Sequence, residues 1–186
     1  MQGISDTNVL KKFCEDFCRI VEKHGKYIIV SGYLAIATGR SRATQDIDMI
    51  LEQISEQKFS DLHSDLVKQG FSCIQSDDSC ELYEYYLKEN GSIRYIFNKQ
   101  MLPEMEVKLA KDALDDLQIK SRIKIPLTGV DVWFSTVEMS VAFKEEYLKS
   151  EKDMEDAKHL RIVFQEQINE RRINDIKQLI KQVKMK

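Results

Sequence analysis

The stretch VSGYLAIATGRSRATQDIDMI, Val30–Ile50, decides how this chain is read. Its second half reads as a strand, Gln45–Leu51, in which Asp46 and Asp48 face one side while Ile47 and Met49 face the other. Two carboxylates one residue apart on a strand lie about 6–7 Å apart along the backbone. Their side chains can converge on one hard cation, and Mg²⁺ takes a few carboxylate oxygens together with phosphate oxygens and water. Exposed strands often alternate acid and apolar residues, so the pair alone is a weak signal. The first half strengthens it. Ser31 and Gly32 form a turn between the apolar run Tyr27–Val30 and a short helix, Tyr33–Thr38, that Gly39 ends. Backbone N–H groups are free at such a turn and favour anions. Glycine permits close approach, and a serine hydroxyl can donate to a phosphate oxygen. Strand, small-residue turn, short helix and acidic strand together describe a phosphate cradle facing a cation site.

Upstream, Val9, Leu10, Phe13, Phe17, Ile20 and Val21 make an apolar stripe at helical spacing, with Asp6 or Thr7 as the expected cap and Gly25 as the stop. Downstream, Ser55–Gln69 is a helix carrying Phe59, Leu62, Leu66 and Val67, closed by Gly70, and Phe71–Ile74 is a strand. Leu82–Leu87 and Ser92–Asn98 flank an Asn90-Gly91 pair and predict a hairpin, with the aromatics Tyr83, Tyr85, Tyr86, Tyr95 and Phe97 half-buried on it. Beyond Pro103 two readings stay open: Met105–Leu109 as a strand, or Glu104–Leu117 as a helix. Ile123–Pro126 and Val130–Phe134 look extended, with Trp133 as core. Three helices follow, Val137–Leu148, Lys152–Gln167 and Ile173–Val183. The expectation is an α/β (α+β) mixed sheet with flanking helices over residues 1–135, and a helical C-terminal part over 136–186, with a soft boundary.

The 186 residues fit one ordinary domain with a helical extension, at 42% hydrophobic and 32% charged residues. No apolar run reaches the roughly 20 residues that span a bilayer. The N-terminus lacks the basic-then-apolar order of a signal peptide, which predicts a cytoplasmic protein with no membrane partner. Cys14, Cys18, Cys73 and Cys80 match no zinc spacing and read as reduced thiols. A net charge of −3 excludes a surface that is basic throughout, although the last stretch, with Arg171, Arg172, Lys177, Lys181, Lys184 and Lys186, is locally basic. His24, His63 and His159 sit on helices among charged neighbours, at no mutual ligand spacing.

The segment from Ser31 to Ile50 resembles the signature of the DNA polymerase β-type nucleotidyltransferase superfamily. In its small prokaryotic branches that signature has two small residues, a short helix and then R-x-T-x-D-I-D. Ser31, Gly32, Gly39, Arg42, Thr44, Asp46 and Asp48 match in register. A second stretch, Val137–Lys144 through Ser150–Asp156, resembles the downstream part of the abortive-infection toxin-like nucleotidyltransferases, where an E-x-x-x-x-x-K helix precedes a K-D-x-x-D helix.

The resemblance implies that Ser31 and Gly32 hold the triphosphate of a nucleoside triphosphate, and that Asp46 and Asp48 hold one or two Mg²⁺ ions. It makes Lys144 and Lys152 candidates for phosphate contact and gives Asp153 a supporting role. Surface salt-bridging among Glu145, Glu146, Glu151 and Asp156 is the rival explanation for the two lysines. Arg42 and Thr44 would fix the loop before the acids more than touch substrate. Active members add a third carboxylate on a neighbouring strand, after an apolar-Arg-apolar run. Here Ser92–Phe97 is that run and Ile96 stands at the expected position, so Glu106 is the candidate, with Glu84 as a weaker one. The implied activity is Mg²⁺-dependent transfer of a nucleoside monophosphate to a hydroxyl of RNA, protein or a small molecule. The competing readings are a regulator that binds nucleotide or RNA without chemistry, and a toxin–antitoxin-type interaction protein.

Overall fold

The computed structural model describes residues 4–41 and 46–184 of the chain. Arg42 and Thr44 lie outside the described residues. Helix α1, Ile4–Val21, leads to strand β1, Tyr27–Val30, and helix α2, Tyr33–Ala37. Strand β2, Asp46–Leu51, and helix α3, Glu56–Lys68, follow, then strand β3, Phe71–Cys73. Helix α4, Ser79–Leu82, widens into a π-helical turn over Tyr83–Leu87. Strands β4, Ile93–Phe97, and β5, Gln100–Leu109, precede helix α5, Ala113–Lys120. Two short strands, β6 (Ile123–Lys124) and β7 (Trp133–Phe134), complete the sheet. Helix α6, Val137–Ala142, again widens into a π turn, Phe143–Leu148, before α7, Glu151–Val163, and α8, Glu170–Lys184. Among the described residues, no helix is long and apolar enough to cross a membrane.

The seven strands form one mixed sheet in the order β3-β4-β5-β2-β1-β7-β6. β2 runs antiparallel to β1 and parallel to β5, while β4 and β5 form an antiparallel hairpin. Strand alternation gives the sheet two unlike faces. Tyr27, Ile29, Ile47, Met49, Leu51, Met105, Val107 and Leu109 enter the large core with α1 and α3. On the opposite face Ile28, Ile50, Ala110 and Ile119 of α5 form a small buried cluster, with Val30 at its rim. The thinly covered face carries the acids.

Four sequence expectations change. α1 begins at Ile4, so Asp6 and Thr7 lie inside the helix, and Val9 is exposed. Val67 likewise points to solvent from α3. The predicted hairpin is misplaced: residues 79–87 are helical because Asp78 caps Cys80 and Glu81 through its side chain, and Asn90-Gly91 closes that helix, with Gly91 N–H donating to the Tyr86 carbonyl at 2.8 Å. The hairpin joins β4 to β5 instead, through Asn98 and Lys99, both at positive φ (49° and 58°), the twist that two-residue hairpin turns need. Trp133 is half-buried rather than core and lies under the guanidinium of Arg122 (4.7 Å) and the ammonium of Lys124 (5.2 Å). The open choice after Pro103 resolves to a strand.

Candidate active site

The parallel pairing of β2 with β5 builds the acid group. Asp46 is in register with Glu104 and Asp48 with Glu106, so four carboxylates share one face on adjacent strands. Arg94, in register with Glu106 from β4, donates to it through Nε and Nη2 at 3.1 and 2.9 Å and stands 3.7 Å from Glu104. Burial pushes the Asp48 carboxyl up; a hydrogen bond from the Ser31 side chain pulls it back in part, and the charge of Glu106 adds to the rise. Glu104 is also raised, by burial and then by the charge of Asp46 beside it. Ser31 reaches this position from a left-handed backbone, φ 63°, a strained conformation for serine, whereas Gly32 has an ordinary helical φ of −81° and caps α2.

A cleft of about 830 Å³, including its open mouth, runs from Ser31 and Asp48 between α5 and the α6 π turn. Lys108 and Lys144 line it, as do Phe143 and Tyr147. Lys144 is buried, 2% exposed; its Nζ donates to Asp156 Oδ2 at 2.8 Å and lies 3.4 Å from Asp153 Oδ1. Asp156, fully buried, also accepts from Arg40, which continues to Glu155 and to the Lys152 carbonyl at 3.2 Å. The loop that leaves α2 is thereby pinned to α7, a contact that Thr38 extends with a 3.1 Å hydrogen bond to His159 Nε2.

No family model matches the chain, and no curated protein matches it in sequence. Solved structures do. The solution structure of the antibiotic-resistance factor ANT(2'')-Ia aligns over 97% of this chain and 95% of its own, with a TM-score of 0.58 and 12% identity. The crystal structure of an antigenic nucleotidyltransferase-like protein from Paracoccidioides brasiliensis aligns over 98% and 89%, with a TM-score of 0.56 and 13% identity. The chain has the nucleotidyltransferase fold. At these identities the likeness describes the fold, and the chemistry has to be argued from the residues.

Within that fold, Ser31, Asp48 and Lys144 meet at one cleft, with Asp46 and Glu106 beside Asp48 on the sheet. Asp153 reaches the group through Lys144. Lys152 is exposed and contributes its backbone carbonyl, to Arg40. Glu84 is elsewhere, ion-paired with Lys88 on the turn after α4. Glu145 and Glu146 are taken up by Arg161 and by Lys149, Lys177 and Lys181, so the basic C-terminal helix is partly a neutralised packing face. Sequence reasoning misses three participants: Glu104, Arg40 and Arg94. Glu104 carries a usable signal, because it stands two residues before Glu106 and shares its face if the segment is a strand.

The donor set suits Mg²⁺. The rim offers hard carboxylate oxygens, and burial together with their mutual repulsion raises Asp48 and Glu104 until a cation offsets it. Among the described residues no three His, Cys, Asp or Glu side chains already close around a metal position.

Proposed function

We propose that the protein is a Mg²⁺-dependent nucleotidyltransferase that moves a nucleoside monophosphate from a nucleoside triphosphate to a hydroxyl acceptor. One observation carries this reading: Asp46 and Asp48 lie in register with Glu104 and Glu106, beside the Ser31 turn and a lysine-lined cleft. In this reading residues 1–135 supply the core and residues 136–186 a helical wall over the nucleotide. Ser31, Gly32 and Lys144 hold the triphosphate, Asp153 supports Lys144, exposed Lys152 is a further candidate for phosphate contact, and Arg42 and Thr44 order the loop before Asp46. Asp46 and Asp48 would hold the metal, with Glu106, oriented by Arg94, as the neighbouring acid that could join them. Mg²⁺, when bound, supplies charge neutralisation and alignment for in-line displacement at phosphorus. Glu104, raised by its surroundings, takes the proton of the attacking hydroxyl. The hydroxyl oxygen bonds to the α-phosphorus as the bond to pyrophosphate breaks. The acceptor is an RNA, a protein or a small molecule.

Incubation with each α-labelled nucleoside triphosphate, Mg²⁺ and an RNA and protein extract tests this. Label should move to an acceptor only when Mg²⁺ is present. A specific feature favours a second reading, a nucleotide-binding regulator without turnover: Arg94 already neutralises Glu106. Mg²⁺-dependent binding with no label transfer and no pyrophosphate release would select it. If no nucleoside triphosphate raises the melting temperature, with or without Mg²⁺, both readings fall.

A further inference from the structure

Part of the cleft lining comes from α5. Asp115 and Gln118 lie one turn apart on the same helix face, and both line the cleft although they are only 5% and 3% exposed. Each has one half committed. Asp115 Oδ2 accepts from the Lys111 N–H at 3.1 Å, and Gln118 Oε1 accepts from the Ser135 hydroxyl at 3.1 Å. Among the described residues the other halves, Asp115 Oδ1 and the Gln118 Nε2 donors, have no partner, and neither atom is sealed from solvent. Two largely buried side chains that line a cavity and each keep one polar atom uncommitted offer a ligand an acceptor and a donor side by side. Phe143 and Tyr147 also line the cleft and stack on each other with centroids 5.5 Å apart; Lys184 Nζ lies 4.1 Å over the Tyr147 ring, which leaves Phe143 as the ring to meet a flat ligand.

We propose that this part of the cleft seats the nucleobase, with Asp115 and Gln118 as the specificity-determining residues, and that it selects purine nucleoside triphosphates, guanine foremost. This rests on the nucleotidyltransferase reading above and names its substrate. The chemistry is a matching of edges. Guanine gives the carboxylate two adjacent donors, N1–H and the 2-amino group, and offers O6 to the Gln118 amide. Its N7 and O6 also suit the neighbouring Lys108 and Lys111, as lysine suits that edge in nucleic acids. Adenine satisfies both residues with one bond each, from its 6-amino group and to N1. Cytosine and uracil leave a carbonyl without a donor and cover less of the Phe143 ring. An unpaired polar group is a strong means of discrimination.

Affinities for GTP, ATP, CTP, UTP and inorganic tripolyphosphate, measured by calorimetry in Mg²⁺, test the proposal. GTP should bind about tenfold or more tighter than either pyrimidine nucleotide. Asp115→Asn, which can no longer accept from two donors, should erase most of the guanine advantage while tripolyphosphate binds as before. Asp115 also holds the start of α5, so Gln118→Leu serves as the second variant and should narrow the purine preference in the same way. Equal affinities for all four nucleotides in the parent protein would overturn the base seat and leave the triphosphate site standing. The base seat is overturned equally if both variants keep the parent's order of preference, or weaken tripolyphosphate as much as GTP. Binding of none of the five would overturn the functional reading itself.

Discussion

Two charged clusters lie on either side of the cleft, and they are built on opposite principles. On the sheet face, Asp46, Asp48, Glu104 and Glu106 crowd like charges together, with Arg94 as the cation held at their edge. On the helical side, Lys144, Arg40, Asp153 and Asp156 bring opposite charges into contact, with Lys144 and Asp156 buried. The first cluster carries excess negative charge, and Asp48 and Glu104 within it are pushed toward protonation. The second is neutralised from within. A fold gains nothing from the first arrangement unless a cation or a cationic ligand arrives. The second resembles a fastening, since removing one member would strand another in a low-dielectric interior. Charge imbalance marks the place for a cation, and charge balance fixes Lys144 in the wall of the cleft.

The comparison can be broken most directly at the acids. Asp48→Ala should abolish Mg²⁺-dependent transfer and the Mg²⁺-dependent part of nucleotide binding, while the protein without ligand melts no lower than the parent because a repulsion has been relieved. Melting curves with and without Mg²⁺ and ATP check both halves, and unchanged ligand stabilisation would sink the metal assignment. Glu104→Gln and Glu106→Gln then divide the remaining labour. Loss of the proton acceptor, expected at Glu104, should cost about 10²–10⁴-fold in rate with nucleotide affinity retained. Glu106→Gln should instead raise the Mg²⁺ concentration needed for half-maximal rate.

The supporting cluster predicts the opposite pattern. Asp156→Ala leaves Lys144 and Arg40 without their shared carboxylate and should lower stability by about 3–5 kcal/mol in denaturant titrations. A loss below about 1 kcal/mol, the size expected for surface pairs, would show that the cluster is wetter than its burial suggests.

The smallest effect is in pH. Asp48 and Glu104 have folded-state pKa values above their unfolded ones, so the folded state binds their protons more tightly. Their contribution therefore favours folding below those values and is lost as pH rises through them. Glu145 runs the other way. Burial pushes it up, but Arg161 and Lys177 hold it below its ordinary value, so its contribution is lost as pH falls. In the absence of Mg²⁺, Asp48→Asn should gain less stability than the parent as pH falls from neutral toward the ordinary carboxylate range. Identical pH profiles for the two proteins would remove Asp48 from the crowded group.

Much of the sheet face is legible in the sequence, because strand alternation is local. β1, α2, β2 and α3 follow from apolar spacing, caps and glycines within a few residues of each other. Glu106 can be named because Met105, Val107 and Leu109 alternate with it. Glu104 is hidden because Pro103 beside it reads as a break, and because strand and helix both stay open there. The misplaced hairpin has the same root. Asn90-Gly91 suits a hairpin turn and a helix end alike, and Asp78, several residues earlier, decides between them by capping. The supporting cluster is legible only in part: Lys144, Asp153 and Asp156 can be named from the second resembling stretch, but Arg40 and the burial cannot. Asp156 is one acid among several in a charged stretch, and its burial depends on Arg40, more than a hundred residues away in the chain.

That last kind of dependence also governs the acids themselves. β2 meets β5 only after α3, β3, α4 and β4 have been made and folded back, so the partners of Asp46 and Asp48 arrive late in the chain. Pairings of such long sequence separation form slowly, since loop closure is paid before contact rewards it. A chain still emerging from the ribosome with β2 in place but β5 absent would hold two of the four carboxylates on an unpaired strand edge. For such a polypeptide the crowded acid group exists only once the chain has been made through Leu109, so any ligand that needs all four carboxylates reports that β5 is in place.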